Sequence, residues 1–288
     1  MPSLSRILLP IDFSDRSVGA ARCVRALVKH FSSEVILLHA LAPLDYQLGG
    51  AEMAGVLLAD VYRNQADHAA RELEQFREKE LAPCRARCLV REGDPASQIV
   101  EFAHAEKVDL IVMPTHGYGP FRRFILGSNT AKVLHDAECP VWTGVHLEGA
   151  PVAPFAPFRS LVCAVDLGPQ SRALIEWAAT FQKEFGARLT LAHAITPPST
   201  DIDSAPAWLR RAQQSAEEEL SRLAEEAGAF AELAVAPGEP EQVINSVVLR
   251  AGGELLIIGR GSAAGSFGRL RKHAYTLIRQ SACPVVSV

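Results

Sequence analysis

A glycine-containing loop in the first half of the chain has the composition of an anion site. Residues 113–130 read MPTHGYGPFRRFILGSNT, and nine residues separate Gly117 from Gly127. Glycines let a backbone approach an anion closely, and the amides that open a helix suit phosphate oxygens. A helix is predicted to begin at Gly127-Ser128, where the hydroxyls of Ser128 and Thr130 would add donors. Without further context, a flexible loop followed by a serine N-cap is the alternative interpretation.

Two aspartates and three histidines are further candidates for chemistry. Asp12 and Asp166 each follow a short apolar run. A carboxylate there can bind a ligand or cap the next turn, and both interpretations stay open for Asp12, whereas capping is favoured for Asp166. His39 and His193 also lie at the ends of apolar runs, and we expect packed rings with backbone partners. For His116, structural support of the loop is favoured over phosphate contact.

The sequence carries no arrangement that predicts catalysis. No Ser-His-Asp or Cys-His set is inferable from it, no carboxylate pair has an acid–base context, and no Walker lysine motif is present. The helix that opens near Trp208 is rich in Glu and Arg, and we expect a solvated face there. We therefore expect a protein that is not an enzyme.

An internal repeat organises the chain. The matched segments, in chain order, are 6–17 with 160–171, 34–40 with 188–194, 93–95 with 238–240, 109–113 with 254–258 and 139–141 with 283–285. The order is preserved, and the match places Asp12 over Asp166 and Ser17 over Ser171. Self-similarity over this length indicates a duplicated domain and not a solenoid. The proline-rich stretch 148–158 is predicted to be a linker between domains at 1–147 and 159–288.

Short branched runs alternate with segments of helical spacing in each half. In the first half we predict helices over 17–31, 56–81, 95–106 and 129–137. Asp94-Pro95 is a helix-start signal. Such alternation predicts an α/β protein with two tandem doubly wound domains, each a five-stranded parallel sheet flanked by helices in a Rossmann-like arrangement. Residues after the first, second and fourth strands should face one crevice.

Composition narrows the class of protein. The formal net charge is −4, and no basic cluster or long apolar run occurs, so neither nucleic acid nor a membrane is expected as a partner. The first residues resemble neither a signal peptide nor an anchor. Six scattered cysteines without a secretion signal indicate reduced thiols and a cytoplasmic location, and the spacing of Cys84 and Cys88 does not predict zinc binding.

The chain resembles the universal stress protein family, and the resemblance covers nearly the whole chain twice. Members that bind ATP carry Gly-x2-Gly-x9-Gly-Ser/Thr after the fourth strand, and here the pattern reads Pro114-x2-Gly117-x9-Gly127-Ser128. Three of the four motif positions match. The resemblance is strengthened by Asp12 at the end of the first strand and by the Cys-Pro-Val final strands. It implies the fold of the adenine nucleotide alpha hydrolase-like group.

The resemblance also implies a binding role for particular residues. Asp12 would bind the ribose, the backbone around Ile11 and Ala40 would contact adenine, and Met113 and Pro114 would line the ribose side. The full set of expected nucleotide-binding residues is Pro10, Ile11, Asp12, Ala40, Met113, Pro114, His116, Gly117, Gly127, Ser128, Asn129 and Thr130. Pro114 lacks an N–H donor, so we expect altered or weakened binding.

The second half departs further from the family pattern. Its loop reads Gly259-Arg260-Gly261, nine residues, then Arg271-Lys272, which stand in place of Gly127 and Ser128. A side chain at residue 271 would crowd the phosphate path. We therefore expect ATP mainly in the first domain.

The resemblance implies a regulatory stress-response protein that binds ATP, with Mg or Mn on the phosphates. The two domains are expected to pair within one chain through their final strands, while homodimerisation and an unidentified protein partner stay open. The alternative is an interaction module of the same fold that binds no nucleotide and works by domain and subunit pairing.

Overall fold

The computed structural model describes residues 4–42, 53–115, 126–144, 158–196, 205–260 and 272–288. In the first half, strands and helices follow one another as β1 (Arg6–Pro10), α1 (Asp15–Phe31), β2 (Glu34–Leu41), α2 (Met53–Leu81), β3 (Ala86–Glu92), α3 (Pro95–Ala105), β4 (Leu110–Val112), α4 (Ser128–Asp136) and β5 (Val141–Thr143). The four helices predicted in this half are all present, and each begins within three residues of its predicted start.

The second half repeats this alternation. Its elements are β6 (Ser160–Ala164), α5 (Ser171–Phe185), β7 (Arg188–Ile195), α6 (Ala205–Glu226), β8 (Ala231–Pro237), α7 (Pro240–Ala251), β9 (Leu255–Ile258), α8 (Lys272–Gln280) and β10 (Val285–Ser287). Helix α8 begins where the repeat aligns residue 272 with Ser128, the first residue of α4.

The strand order is the same in the two halves. It is β3-β2-β1-β4-β5 in the first half, and the equivalent order β8-β7-β6-β9-β10 in the second. The pairs β1 with β2, β1 with β4 and β2 with β3 are parallel, as are their counterparts in the second half. The predicted α/β class with five strands in each half is confirmed.

The central strands are buried because their sequences are apolar on both faces. Leu8, Leu9, Ile36 and Leu37 are fully buried, as expected for parallel strands covered by helices on both sides. Burial of each such side chain stabilises the fold by about 1.5–3 kcal/mol. This rigid layer holds the loops at the strand ends in place.

Helix α3 begins as its sequence predicts. Gly93 has a φ of +136°, a backbone conformation that a side chain would strain, and Gly238 has a φ of +140° at the matching place. The Asp94 carboxylate accepts a hydrogen bond from the amide of Ser97 at 3.0 Å, and Pro95 occupies the first turn. Glu239, which precedes α7, makes no such side-chain cap.

The contacts divide the chain into two compact units. One contains the first half up to Val141, and the other contains the second half with the segment that begins at Trp142. In the latter unit, the ring centroids of Trp142 and Phe158 lie 5.6 Å apart. The domain limits 1–147 and 159–288 stay predictions. In the described parts of the chain, no helix combines the length and the apolar character needed to cross a membrane.

Candidate functional site

The carboxyl ends of β2, β1 and β4 lie side by side. Pro10 at the end of β1 is in register with Leu38 of β2, and Leu8 is in register with Ile111 of β4. The amide of Ile11 extends the pairing by donating to the carbonyl of Leu38 at 2.9 Å. The order of the strands reverses between β1 and β4, and ligands of open α/β sheets bind above such a point.

Asp12 lies at this edge and is bonded to the turn that begins α1. Its Oδ1 accepts hydrogen bonds from the Ser14 amide at 3.0 Å, the Ser14 hydroxyl at 2.6 Å and the Ser17 hydroxyl at 2.7 Å. The capping interpretation of Asp12 is therefore correct for Oδ1. Among the described residues Oδ2 has no hydrogen-bond partner, and Asp12 is exposed. One carboxylate oxygen thus supports the turn, and the other can accept from a ligand.

Phe13 directs the chain out of the strand through a left-handed residue. Its φ is +60°, and its ring centroid lies 4.6 Å from that of His39. The Nδ1 atom of His39 lies 2.7 Å from the carbonyl oxygen of Ile11. Because a carbonyl can only accept, Nδ1 carries the hydrogen. His39 is the packed histidine with a backbone partner that its sequence position predicts.

Helix α4 opens toward the same strand ends with free amides. Gly127 is its N-cap residue and supplies no side chain to cap it. The amide of Ala131 makes the first helical bond, to the carbonyl of Gly127 at 2.9 Å. Within the described part of the chain, the preceding amides of Ser128, Asn129 and Thr130 have no acceptor. Three adjacent N–H groups at a helix N-terminus provide partial positive charge and donors for an anion.

Two hydrogen bonds join this helix to the end of β4. The amide of Gly127 donates to the carbonyl of Thr115 at 2.8 Å, and the hydroxyl of Thr130 donates to the carbonyl of Pro114 at 3.0 Å. Thr130 is only 3% exposed. Its hydroxyl hydrogen is therefore used within the protein, whereas the side chains of Ser128 and Asn129 are exposed.

The structure describes ten of the twelve predicted nucleotide-binding residues. Ile11, Met113, Pro114 and Thr130 are buried. Half-buried or exposed are Pro10, Asp12, Ala40, Gly127, Ser128 and Asn129. His116 and Gly117 lie outside the described residues. Pairing of the strands places the carboxyl ends of β1, β2 and β4 at one edge of the sheet, as the order of elements predicts. Ala40 lies within β2 and not after it, because β2 extends to Leu41 and pairs there with β3.

Ser14, Ser17 and Phe13 were not predicted as parts of the site. The repeat contained a signal for one of them, because Ser17 aligns with Ser171 in the second half. There the Ser171 hydroxyl donates to Oδ1 of Asp166 at 3.1 Å. The left-handed backbone of Phe13 had no signal in its residue type, since bulky residues rarely adopt a positive φ.

Two thiols of the first half, those of Cys23 and Cys88, are not candidate nucleophiles. Burial raises the pKa of Cys23 to about 12. Burial, followed by a hydrogen bond with Glu74, raises the pKa of Cys88 to about 12. A thiol with such a pKa holds its proton at neutral pH and reacts slowly. In the described parts of the chain, no group of three or more His, Cys, Asp or Glu residues could hold a metal ion.

The second half keeps the turn after its first strand, β6, but has different residues after β9 and before α8. Leu167 has a φ of +57°, and Nδ1 of His193 lies 2.8 Å from the carbonyl oxygen of Val165. Arg260 stands where the first half has Thr115 and is buried, with 4% of its surface exposed. Residue 271, the counterpart of Gly127, lies outside the described residues.

Comparison with known proteins agrees with this duplicated architecture. The model of the universal stress protein family matches residues 4–143 and again residues 157–288. This chain belongs to the universal stress protein family. Two curated members show the relation in sequence. A universal stress protein of Methanocaldococcus jannaschii is 32% identical over 136 residues, which cover 47% of this chain and 79% of that protein.

A universal stress protein of Thermus aquaticus is 32% identical over 138 residues, covering 47% of this chain and 94% of that protein. Among solved structures, a universal stress protein from Archaeoglobus fulgidus aligns with 99% of this chain and 98% of its own, at a TM-score of 0.66 and 21% identity. The TM-score and the coverage show that the two chains share a fold, although their sequence identity is low.

Proposed function

We propose that this universal stress protein binds ATP in its first domain and acts as a regulatory stress-response protein. The observation that carries the proposal is the row of three amides, from Ser128 to Thr130, without acceptors at the start of α4. They lie beyond the carboxyl ends of β1 and β4, where open α/β sheets bind nucleotides. A phosphate group would satisfy these amides and the positive end of the helix dipole.

In this proposal the remaining residues of the edge hold the nucleoside. Oδ2 of Asp12 accepts from a ribose hydroxyl, while Oδ1 stays bonded to Ser14 and Ser17. The backbone around Ile11 and Ala40 contacts adenine. Gly117, Gly127, Ser128 and Asn129 hold the phosphates, and His116 lies in the same loop.

Pro10, Met113, Pro114 and Thr130 would shape and position the site. Pro10 ends β1, and Met113 and Pro114 line the ribose side. The bond from Thr130 to Pro114 fixes the end of β4 against the helix. Because Pro114 lacks an N–H, affinity is expected to be lower than with glycine at this position. A Mg or Mn ion would be carried by the phosphate oxygens, and it would neutralise part of their charge.

The regulatory role is inferred from the described residues of the site, which offer binding groups and include no base aimed at a phosphate. Oδ1 of Asp12 is bonded to two hydroxyls and an amide, and His39 is bonded to a carbonyl. ATP would therefore act by stabilising one conformation of the domain and its partners. Hydrolysis, if it occurs, would be slow. Cytoplasmic location and pairing of the two domains are part of the same proposal.

Isothermal titration calorimetry with ATP and magnesium tests the site by comparing the ATP affinity of the parent with that of a Gly127→Arg variant. Gly127 has φ −61° and ψ 146°, a conformation open to any residue, so the variant should fold. Its side chain would crowd the phosphate position, and we expect affinity to fall at least about tenfold. The matched control is His135→Arg, which adds the same cation at the other end of α4 and should bind as the parent does. Equal ATP affinity in Gly127→Arg and the parent would reject the site.

Pro114 favours a second function, an interaction module of this fold without a nucleotide. It is buried and lacks a donor at a position where the family pattern has glycine. The small molecules that accompany the purified protein distinguish the two functions. An adenine nucleotide released on denaturation supports ATP binding. Its absence, together with no heat of binding at millimolar ATP, supports the interaction module.

A further inference from the structure

The second domain contains a pocket between the carboxyl ends of β6 and β7 and helix α6. Its volume is about 600 Å³. The sheet contributes Leu167, from the turn after β6, and His193 and Ile195, from the end of β7. Helix α6, which packs on β7 and β8, forms the opposite wall. No residue of α7 or α8 lines it among the described residues, so it is separate from a site at the start of α8.

Small residues of α6 open the space. Ala212 and Ala216 face the pocket one turn apart, with Ser215 beside them. Further along the same helix, Leu220 and Leu223 are buried and fill the interface with the sheet. Glu218, Glu219 and Arg222 of the same helix also line the pocket, so its helical wall combines small and charged side chains.

In the first domain, an aromatic side chain packs on His39, the counterpart of His193. There the Phe13 ring lies 4.6 Å from the His39 ring. The second domain has the same left-handed turn and the same histidine, bonded to the equivalent carbonyl, but carries Leu167 in place of Phe13. Leu167 therefore stands where the first domain has an aromatic ring, and both Leu167 and His193 line the pocket. A phenyl group is the side chain that the first domain places over its histidine.

The pocket lining offers hydrogen-bond acceptors and a carboxylate to the polar group of a ligand. Nδ1 of His193 donates to the carbonyl of Val165, so Nε2 of the neutral ring can only accept. The Glu218 carboxylate at the rim accepts from the neutral amide of Gln214 at 2.9 Å and has no cationic partner among the described residues. Both groups favour a ligand that donates N–H bonds.

Arg222, the cation among the described lining residues, does not reverse this preference. Arg222 donates to both oxygens of Glu219, at 2.9 and 2.6 Å, and also to Glu226. Its charge is therefore matched within α6, and among the described lining residues Glu218 is the carboxylate without a cationic partner. A carboxylate or phosphate ligand would meet this carboxylate, with no unpaired cation among those residues.

We propose that this pocket binds a small aromatic amine, with its ring over His193 in the position that Phe13 takes in the first domain and its ammonium group near Glu218. The proposal is independent of ATP binding, since the two sites share no residue. It assigns to the second domain a ligand of opposite charge to a nucleotide. The chain would then respond to two chemically different small molecules, one in each domain.

Ligand-detected NMR on the full chain tests the proposal with 2-phenylethylamine as the probe. Two analogues separate its features: 3-phenylpropionate keeps the ring and reverses the charge, and 2-cyclohexylethylamine keeps the charge and removes the aromatic ring. We expect the phenylethylamine to bind several times more tightly than either analogue. Equal binding of 3-phenylpropionate would overturn the assignment.

The deciding variant is Leu167→Phe, which restores the ring of the first domain. Position 13 shows that phenylalanine is accommodated at this positive φ, so the fold should persist. We expect probe affinity to fall at least about tenfold, because the side chain fills the pocket. Glu218→Gln should weaken the amine about threefold and leave 2-phenylethanol unaffected.

Two further variants keep the test decisive. Ala212→Leu fills the pocket from the helix side with a good helix former, and it should have the same effect if Leu167→Phe does not fold. His135→Arg, at the end of α4 in the first domain, is the control variant and should leave the probe affinity unchanged. Retained probe affinity in a folded Leu167→Phe or Ala212→Leu variant contradicts the proposal. Displacement of the probe by ATP in the parent but not in Gly127→Arg also contradicts it, because the probe would then occupy the first-domain site.

Discussion

The two domains keep one turn almost unchanged and differ in what surrounds it. Phe13 and Leu167 have φ values of +60° and +57°, and His39 and His193 each bond a backbone carbonyl, at 2.7 and 2.8 Å. An aspartate bonded to a serine at the start of the next helix completes the turn in both. These shared contacts join the end of the first strand to its neighbours, so their role is to shape the edge.

The differences lie in the groups that would meet a ligand. The first domain has Gly127 before α4, whereas the second has Arg271 before α8. The second domain also has Leu167 where Phe13 covers a histidine in the first. Duplicated domains can therefore keep a common scaffold while each edge acquires its own chemistry. Variants at matched positions of the two domains test whether their ligand binding and stability differ as these contacts indicate.

The largest difference is expected between Asp12→Ala and Asp166→Ala. Loss of a charged acceptor for a ribose hydroxyl costs about 1.5–3 kcal/mol, so ATP affinity should fall about tenfold to a hundredfold in Asp12→Ala. Asp166→Ala should leave ATP affinity as it is in the parent, although it removes the matching turn contact. Titration calorimetry on both variants measures this contrast, and equal losses in the two would contradict it.

A smaller difference should separate Asp94→Ala from Glu239→Ala. Asp94 caps α3 by accepting from Ser97 and also bonds Lys132 at 2.9 Å, whereas Glu239 makes no side-chain cap. Removal of the cap should lower the free energy of unfolding by about 1 kcal/mol in Asp94→Ala and by much less in Glu239→Ala. Urea unfolding followed by circular dichroism gives both values. Similar losses would show that the cap does not distinguish the domains.

The smallest effect is the pH dependence that this cap introduces. The Lys132 hydrogen bond, followed by those from Ser97, lowers the pKa of Asp94 from 3.8 to about 2. A carboxyl with a lowered pKa stabilises the fold above its unfolded pKa and loses that contribution as pH falls from about 4 toward 2. The side chain is about half exposed, so we expect only about 0.5 kcal/mol.

Asp94→Asn should flatten this part of the stability profile. Unfolding free energies at pH 5 and pH 3 provide the measurement, with Glu239→Gln as the matched control in the second domain. A parent and an Asp94→Asn variant that lose equal stability between these pH values would argue against a charged cap.

The architecture could be predicted because its determinants are local and repeated. Alternating apolar runs and helical segments predict the order of elements, and Gly93-Asp94-Pro95 predicts the start of α3. The edge formed by β1, β2 and β4 follows from parallel pairing with a reversal of strand order, so the relation of Asp12 to α4 was also predictable. Whether these residues bind ATP stays a prediction.

The pocket of the second domain could not be predicted from residue types. Glu218, Glu219 and Arg222 lie on a face that was expected only to be solvated, and they also line the pocket. It depends on small side chains of α6 meeting Leu167 and His193, which are distant in sequence. At Asp12, one carboxylate oxygen is bonded within the turn, and the other has no hydrogen-bond partner among the described residues. This arrangement likewise depends on a side-chain rotamer that the sequence does not specify.

The two bonds at the base of the α4 loop bear on how the protein could change. Thr115 and Pro114 are fastened to Gly127 and Thr130, so strand and helix meet at a fixed junction. Substitutions at the exposed residues Ser128 and Asn129 leave both bonds in place. Ligand preference could therefore change at the start of α4 without loss of the contact between strand and helix.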